Sequence, residues 1–64
     1  MLQYVYKVSN PDEVTIFHAD TGREAAEKMV YTLNLDGKQD YRINELKHGY
    51  EIALNGDSLY WVRK

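Results

Sequence analysis

Apolar and polar positions alternate with a period of two near both ends of the chain, and with a helical period between them. LQYVYKV (Leu2 to Val8) and VTIFHA (Val14 to Ala19) are rich in β-branched and aromatic residues and predict two strands. SNPDE between them predicts a turn, because the residue before Pro11 is pushed out of helical geometry and the proline ring presets its own φ. From Asp20 the period lengthens: Ala25, Ala26, Met29, Val30 and Leu33 recur at the spacing of one helix face. Thr21 and Glu24 have the spacing of a capping box at its start, and Glu24 and Lys28 form an i,i+4 pair of favourable polarity. Asn34 tolerates left-handed geometry and so predicts the stop, with Leu35 folding back as a hydrophobic contact. LDGKQD follows as a loop. Three short strands then remain, YRINEL, YEIAL and LYWVR, punctuated by His48-Gly49 and by Asn55-Gly56, a strong hairpin signal.

The element order is therefore ββαβββ, an α+β class in which one antiparallel or mixed sheet carries one helix on one face. The two most apolar strands, LQYVYKV and LYWV, belong at the centre, side by side and parallel, whereas the more polar YRINEL suits an edge, where charge discourages further pairing. That predicts the order 2-1-5-4-3. Hairpin, helix and returning strands resemble, in element order, the β-grasp layout of ubiquitin-like and immunoglobulin-binding domains with one strand added. Folds of this kind host many functions, mostly binding.

Strand parity sorts the side chains onto two faces. Val14, Ile16, Ile43, Tyr50, Ile52, Leu54, Tyr60 and Val62 are expected beneath the helix, joined by Leu2, Tyr4, Tyr6 and Val8 if the first strand keeps step. A three-residue loop, Asn55 to Asp57, sets Ile52 against Tyr60 and keeps that pattern, whereas a two-residue loop mixes the faces. The opposite face is then expected to hold Val5, Lys7, Thr15, Phe17, Arg42, Asn44, Leu46, Glu51, Ala53, Leu59, Trp61 and Arg63, with no element left to cover it. Aromatic rings interleaved with Lys7, Arg42 and Arg63 suit a protein partner or a second copy of the chain. They also suit a single-stranded nucleic acid, whose bases stack on rings while cations meet phosphates. A third possibility is a half-wet antiparallel sheet whose tryptophan merely covers its neighbours. Tyr31, opposite the apolar helix face, is a separate candidate contact.

Composition narrows these choices. A chain of 64 residues makes one domain, residues 1–64, with a thin stability margin. It contains no cysteine, so neither a disulfide framework nor a cysteine zinc site is expected, and a reducing, cytoplasmic setting fits. MLQYVYKV lacks a basic leader, and no stretch approaches the ~20 apolar residues of a membrane helix. A net charge of −2 is too balanced for an electrostatically driven nucleic-acid binder and too mild for an acidic mimic of DNA. Catalytic candidates are sparse. His18 with Asp20 has the composition of a general base, but no serine has an evident base beside it; His18, in phase with the core side of its strand, suits a boundary position at the helix start, and His48 a turn tip. Asp36 and Asp40 share a loop without the alternating oxygens of a calcium site. No cofactor, metal or membrane is expected. The expectation is a non-enzymatic adaptor or inhibitor docking on a protein through Lys7, Phe17, Arg42, Leu59, Trp61 and Arg63 or through Tyr31, with nucleic acid as the alternative ligand.

Overall fold

Five strands and one helix follow one another in the computed structural model, which describes residues 1–35, 37 and 40–63. They are β1 (Leu2–Lys7), β2 (Asn10–His18), α1 (Gly22–Thr32), β3 (Tyr41–Leu46), β4 (Gly49–Leu54) and β5 (Asp57–Arg63). The strands form one sheet in the order β2-β1-β5-β4-β3, with α1 across one face. The fold is a small α+β domain, and the polar β3 is an edge, as its composition predicts.

The helix is built from local signals. The Thr21 hydroxyl accepts from the Glu24 N–H at 3.1 Å, while the Glu24 carboxylate reaches back to the Asp20 N–H at 2.8 Å. At the other end Asn34 takes φ of +59°. Its N–H donates to Tyr31 O, and the Leu35 N–H donates to Val30 O, so two otherwise orphaned carbonyls are satisfied and Leu35 is turned into the core. Ala25, Ala26, Met29 and Val30 are buried against Val5, Ile52 and Val62 of the sheet. The expected pair between Glu24 and Lys28 is absent, because each end is better used elsewhere: Glu24 in the cap, and the Lys28 ammonium on the His18 carbonyl at 2.5 Å.

Direction departs from expectation in one place. β1 and β5 are adjacent and antiparallel, not parallel, pairing Val5 with Val62 and Tyr6 with Trp61. The reason is parity. β2 and β3 run the same way because α1 carries the chain back across the sheet, and two hairpins after β3 return β5 to that direction, which is opposite to β1. In a four-stranded β-grasp, one hairpin fewer makes the first and last strands parallel, so the added strand is what reverses the pair. The likeness to that layout is thus approximate.

The second departure is one of phase. Val5 is fully buried beneath the helix, and Phe17 packs against the same core, whereas Tyr4, Val14 and Ile16 are exposed on the other side. Leu2 is exposed as well, and Tyr6 faces away from the helix as the cross-strand partner of Trp61. The alternation of β1 and β2 therefore runs opposite to the expected one. Ala25 and Ala26 bring the helix close to the sheet, where valine fits and two tyrosines would prop it off. A tyrosine buried there would also need a partner for its hydroxyl, which water supplies on the open side.

The loop between β4 and β5 is shorter than expected. Leu54 pairs with Asp57 across Asn55 and Gly56, whose φ values of +55° and +84° suit a type I′ turn. Two residues alone would set Ile52 against Leu59. Instead the ladder steps from Ala53–Ser58 to Ile52–Tyr60, so Leu59 is the extra residue of a β-bulge. The expected Ile52–Tyr60 register is present, and the bulge supplies it in place of a third loop residue.

Candidate functional site

The uncovered face is best described by the rungs of its ladder. Cross-strand pairing aligns Val14, Tyr6, Trp61, Glu51 and Asn44, one from each strand, along a single rung. Two residues along each strand, on the same face, lies a second rung of Ile16, Tyr4, Arg63, Gly49 and Leu46. The apolar members concentrate on β1, β2 and β5: Ile16 is 52% exposed, Tyr4 41%, Val14 40% and Trp61 38%. Leu2 and Leu46, also exposed, extend the patch toward the end where β1 begins and β3 stops.

The other half of this face is polar and internally bonded. The Trp61 indole N–H donates to the Ser58 hydroxyl at 3.2 Å, which donates to Glu51 Oε2 at 2.6 Å. The Asn44 amide donates to Glu51 Oε1 at 3.2 Å. Residues three apart in an unbroken strand point to opposite faces, so Trp61 reaches Ser58 only because the Leu59 bulge intervenes. The chain of bonds ties the indole to the polar half of the face. Arg63 stacks over the Tyr6 ring, 5.2 Å from its centroid, a cation–π contact that keeps the guanidinium on this face.

The residues expected to bind a partner divide between the two sides. Trp61, Arg63 and the exposed Arg42 stand on the open face. Phe17 and Lys7 do not. Phe17 packs toward the helix, and Lys7, the partner of Tyr60, lies on the helix side with its ammonium 3.7 Å from Glu13. Leu59 is half-buried at the bulge. Tyr31 is 75% exposed and lines a groove with Phe17, Glu24, Glu27, Lys28 and Thr32, between α1 and the edge strand β2. Tyr4, Tyr6, Val14 and Ile16, expected in the core, belong to this face instead. Hydropathy in LQYVYKV points the other way, with apolar residues filling one parity and a lone valine between glutamine and lysine on the other.

His18 is exposed and in phase with Ile16, hence on the open side and not the core side expected of it. Its carbonyl takes the Lys28 ammonium, and the Asp20 N–H is engaged by Glu24. Among the described residues no three His, Cys, Asp or Glu side chains converge as metal ligands; the Asp36–Asp40 loop lies partly outside those residues. Among them, too, no helix is long and apolar enough to cross a membrane. Set against family models, curated proteins and solved structures, the chain finds no match.

Proposed function

We infer that this chain is a non-enzymatic binding module that docks on a protein surface through its open sheet face. One observation carries this: the exposed tyrosine, isoleucine, valine and tryptophan side chains of β1, β2 and β5 adjoin on a single face, while α1 covers the other. Scattered exposed apolar residues are ordinary, but a contiguous patch of this kind marks an interaction site. With Lys7 and Phe17 turned to the helix side, the face keeps two arginines against Glu51 and is more apolar than basic, which favours protein over nucleic acid. The lack of cysteine suits action in the reducing cytoplasm.

Site-directed photocrosslinking tests the reading. A photoreactive phenylalanine analogue at position 16 is expected to yield protein adducts in a cell lysate, and Trp61→Ala is expected to suppress them. Adducts arising from position 31 instead would move docking to the groove beside α1. Nuclease-sensitive adducts would replace the protein by a nucleic acid.

A further inference from the structure

We propose that the protein covering the open face is a second copy of this chain, stacked sheet on sheet about a two-fold axis with the two helices outermost. This rests on reading the face as a docking surface and names its occupant.

The ladder makes the face self-complementary. Consider a two-fold axis lying in the face, perpendicular to the strands and midway between the Trp61 and Arg63 rungs. Rotation about it lays each residue of one rung over the residue of the other rung on the same strand. Val14 then meets Ile16 of the second copy, and Tyr6 meets Tyr4. Trp61 meets Arg63 of the second copy, an aromatic ring against a guanidinium that already sits on an aromatic ring in its own chain. Every such contact occurs twice, as a two-fold interface requires. An axis along the strands would instead lay the apolar β2 over the polar β3, which does not match.

Charge completes the fit. Glu51 is half-buried near the centre of the face, holds its carboxylate on the neutral donors Ser58 and Asn44, and makes no ion pair among the described residues. In the stacked arrangement Arg63 of the second copy lies over β5, offset sideways from Glu51 by one strand spacing of ~4.8 Å and facing it across the ~10 Å between the sheets, a gap that the two long side chains span. A charge left without a counter-ion inside one chain thus finds it in the other, and the reverse contact does the same.

Area is sufficient. The molecule measures 30 × 22 × 20 Å, so its broad face offers at most about 660 Å² in projection and two copies together at most roughly 1,300 Å², which reaches the lower end of stable specific interfaces. Stacking at ~10 Å is the ordinary spacing of sheets packed face to face.

Sedimentation of the purified chain, combined with charge exchange, decides the matter. Wild type is expected to sediment at twice its 7.5 kDa chain mass at micromolar concentration. Glu51→Arg and Arg63→Glu each place like charges opposite one another and are expected to weaken self-association about tenfold or more. Mixing the two variants restores opposite charges at both contacts, so the mixture is expected to recover the double mass; that recovery also shows that each variant is folded. A wild type at single-chain mass up to millimolar concentration, or a mixture that fails to recover, overturns the proposal. In that event acrylamide quenching separates the two claims. A freely quenched Trp61 leaves the docking face open for another protein, and a shielded one removes the docking reading as well.

Discussion

Two isoleucines of equal parity in the expected pattern end on opposite sides of the sheet. Ile52 is fully buried against Val5, Val62 and the helix, whereas Ile16 is 52% exposed on the open face. Cutting each back to alanine removes the same atoms from very different surroundings. Ile52→Ala leaves a cavity and is expected to cost about 2–5 kcal/mol, a large share of the stability of so short a chain. Ile16→Ala is expected to cost no more than about 0.5 kcal/mol in dilute protein, measured by urea denaturation. Equal losses would restore the phase that alternation alone suggested. Gly49 is a harsher case. Its φ is +154°, and an added Cβ would sit 1.9 Å from the Val62 carbonyl oxygen, a backbone atom that cannot move aside. Gly49→Ala is therefore expected to lose more stability than Ile52→Ala, seen as loss of cooperative thermal unfolding.

Among the elements, α1 is the one whose boundary signals are local, and both of its ends are legible in the sequence, although the expected Glu24–Lys28 pair is not formed. The cap at Thr21, the stop at Asn34 and the return of Leu35 all lie within a turn of the residues they serve. Its two ends make opposite predictions. Thr21→Ala removes the acceptor for the Glu24 N–H and is expected to cost about 1 kcal/mol. Asn34→Gly relieves a side chain held at positive φ and is expected to gain about 0.5 kcal/mol, both read from chemical denaturation. Strands are legible only as far as one parity is polar. In β3, β4 and β5 the polar side chains Arg42, Asn44, Glu51 and Arg63 share a parity, and the inferred faces stand. In β1 both parities carry apolar side chains, so the count favoured the tyrosines although the close approach of Ala25 and Ala26 selects Val5. Cross-strand partners share a face, so the inversion holds on both strands of the hairpin and exposes half of the candidate face. The sheet order was legible from composition; the direction of β5 needed only the parity of the hairpins.

At the scale of the whole molecule, one thin layer of helix covers one side of one sheet, and among the described residues the largest side chains wholly removed from water are Ile52, Val5 and Val62. Apolar groups of comparable size, Tyr4, Val14, Ile16 and Trp61, remain on the wet side. A second sheet laid against them would roughly double the layers that share a core, a common route by which very short chains gain stability. If the second sheet belongs to another copy, folding and association are linked by mass action, and the melting temperature must depend on concentration. The wild type is expected to melt several degrees higher when its concentration is raised about a hundredfold. Ile16→Lys places a charge in the apolar half of the stacked faces without touching the core, so its melting temperature is expected to be independent of concentration. At the lowest concentration the two curves are expected to converge, because a lone chain exposes Ile16 whichever residue stands there. Differential scanning calorimetry over that range gives both slopes. A wild-type slope equal to that of Ile16→Lys would show that the single sheet and its helix carry all the stability the chain has, and that the open face contributes nothing without a different protein to cover it.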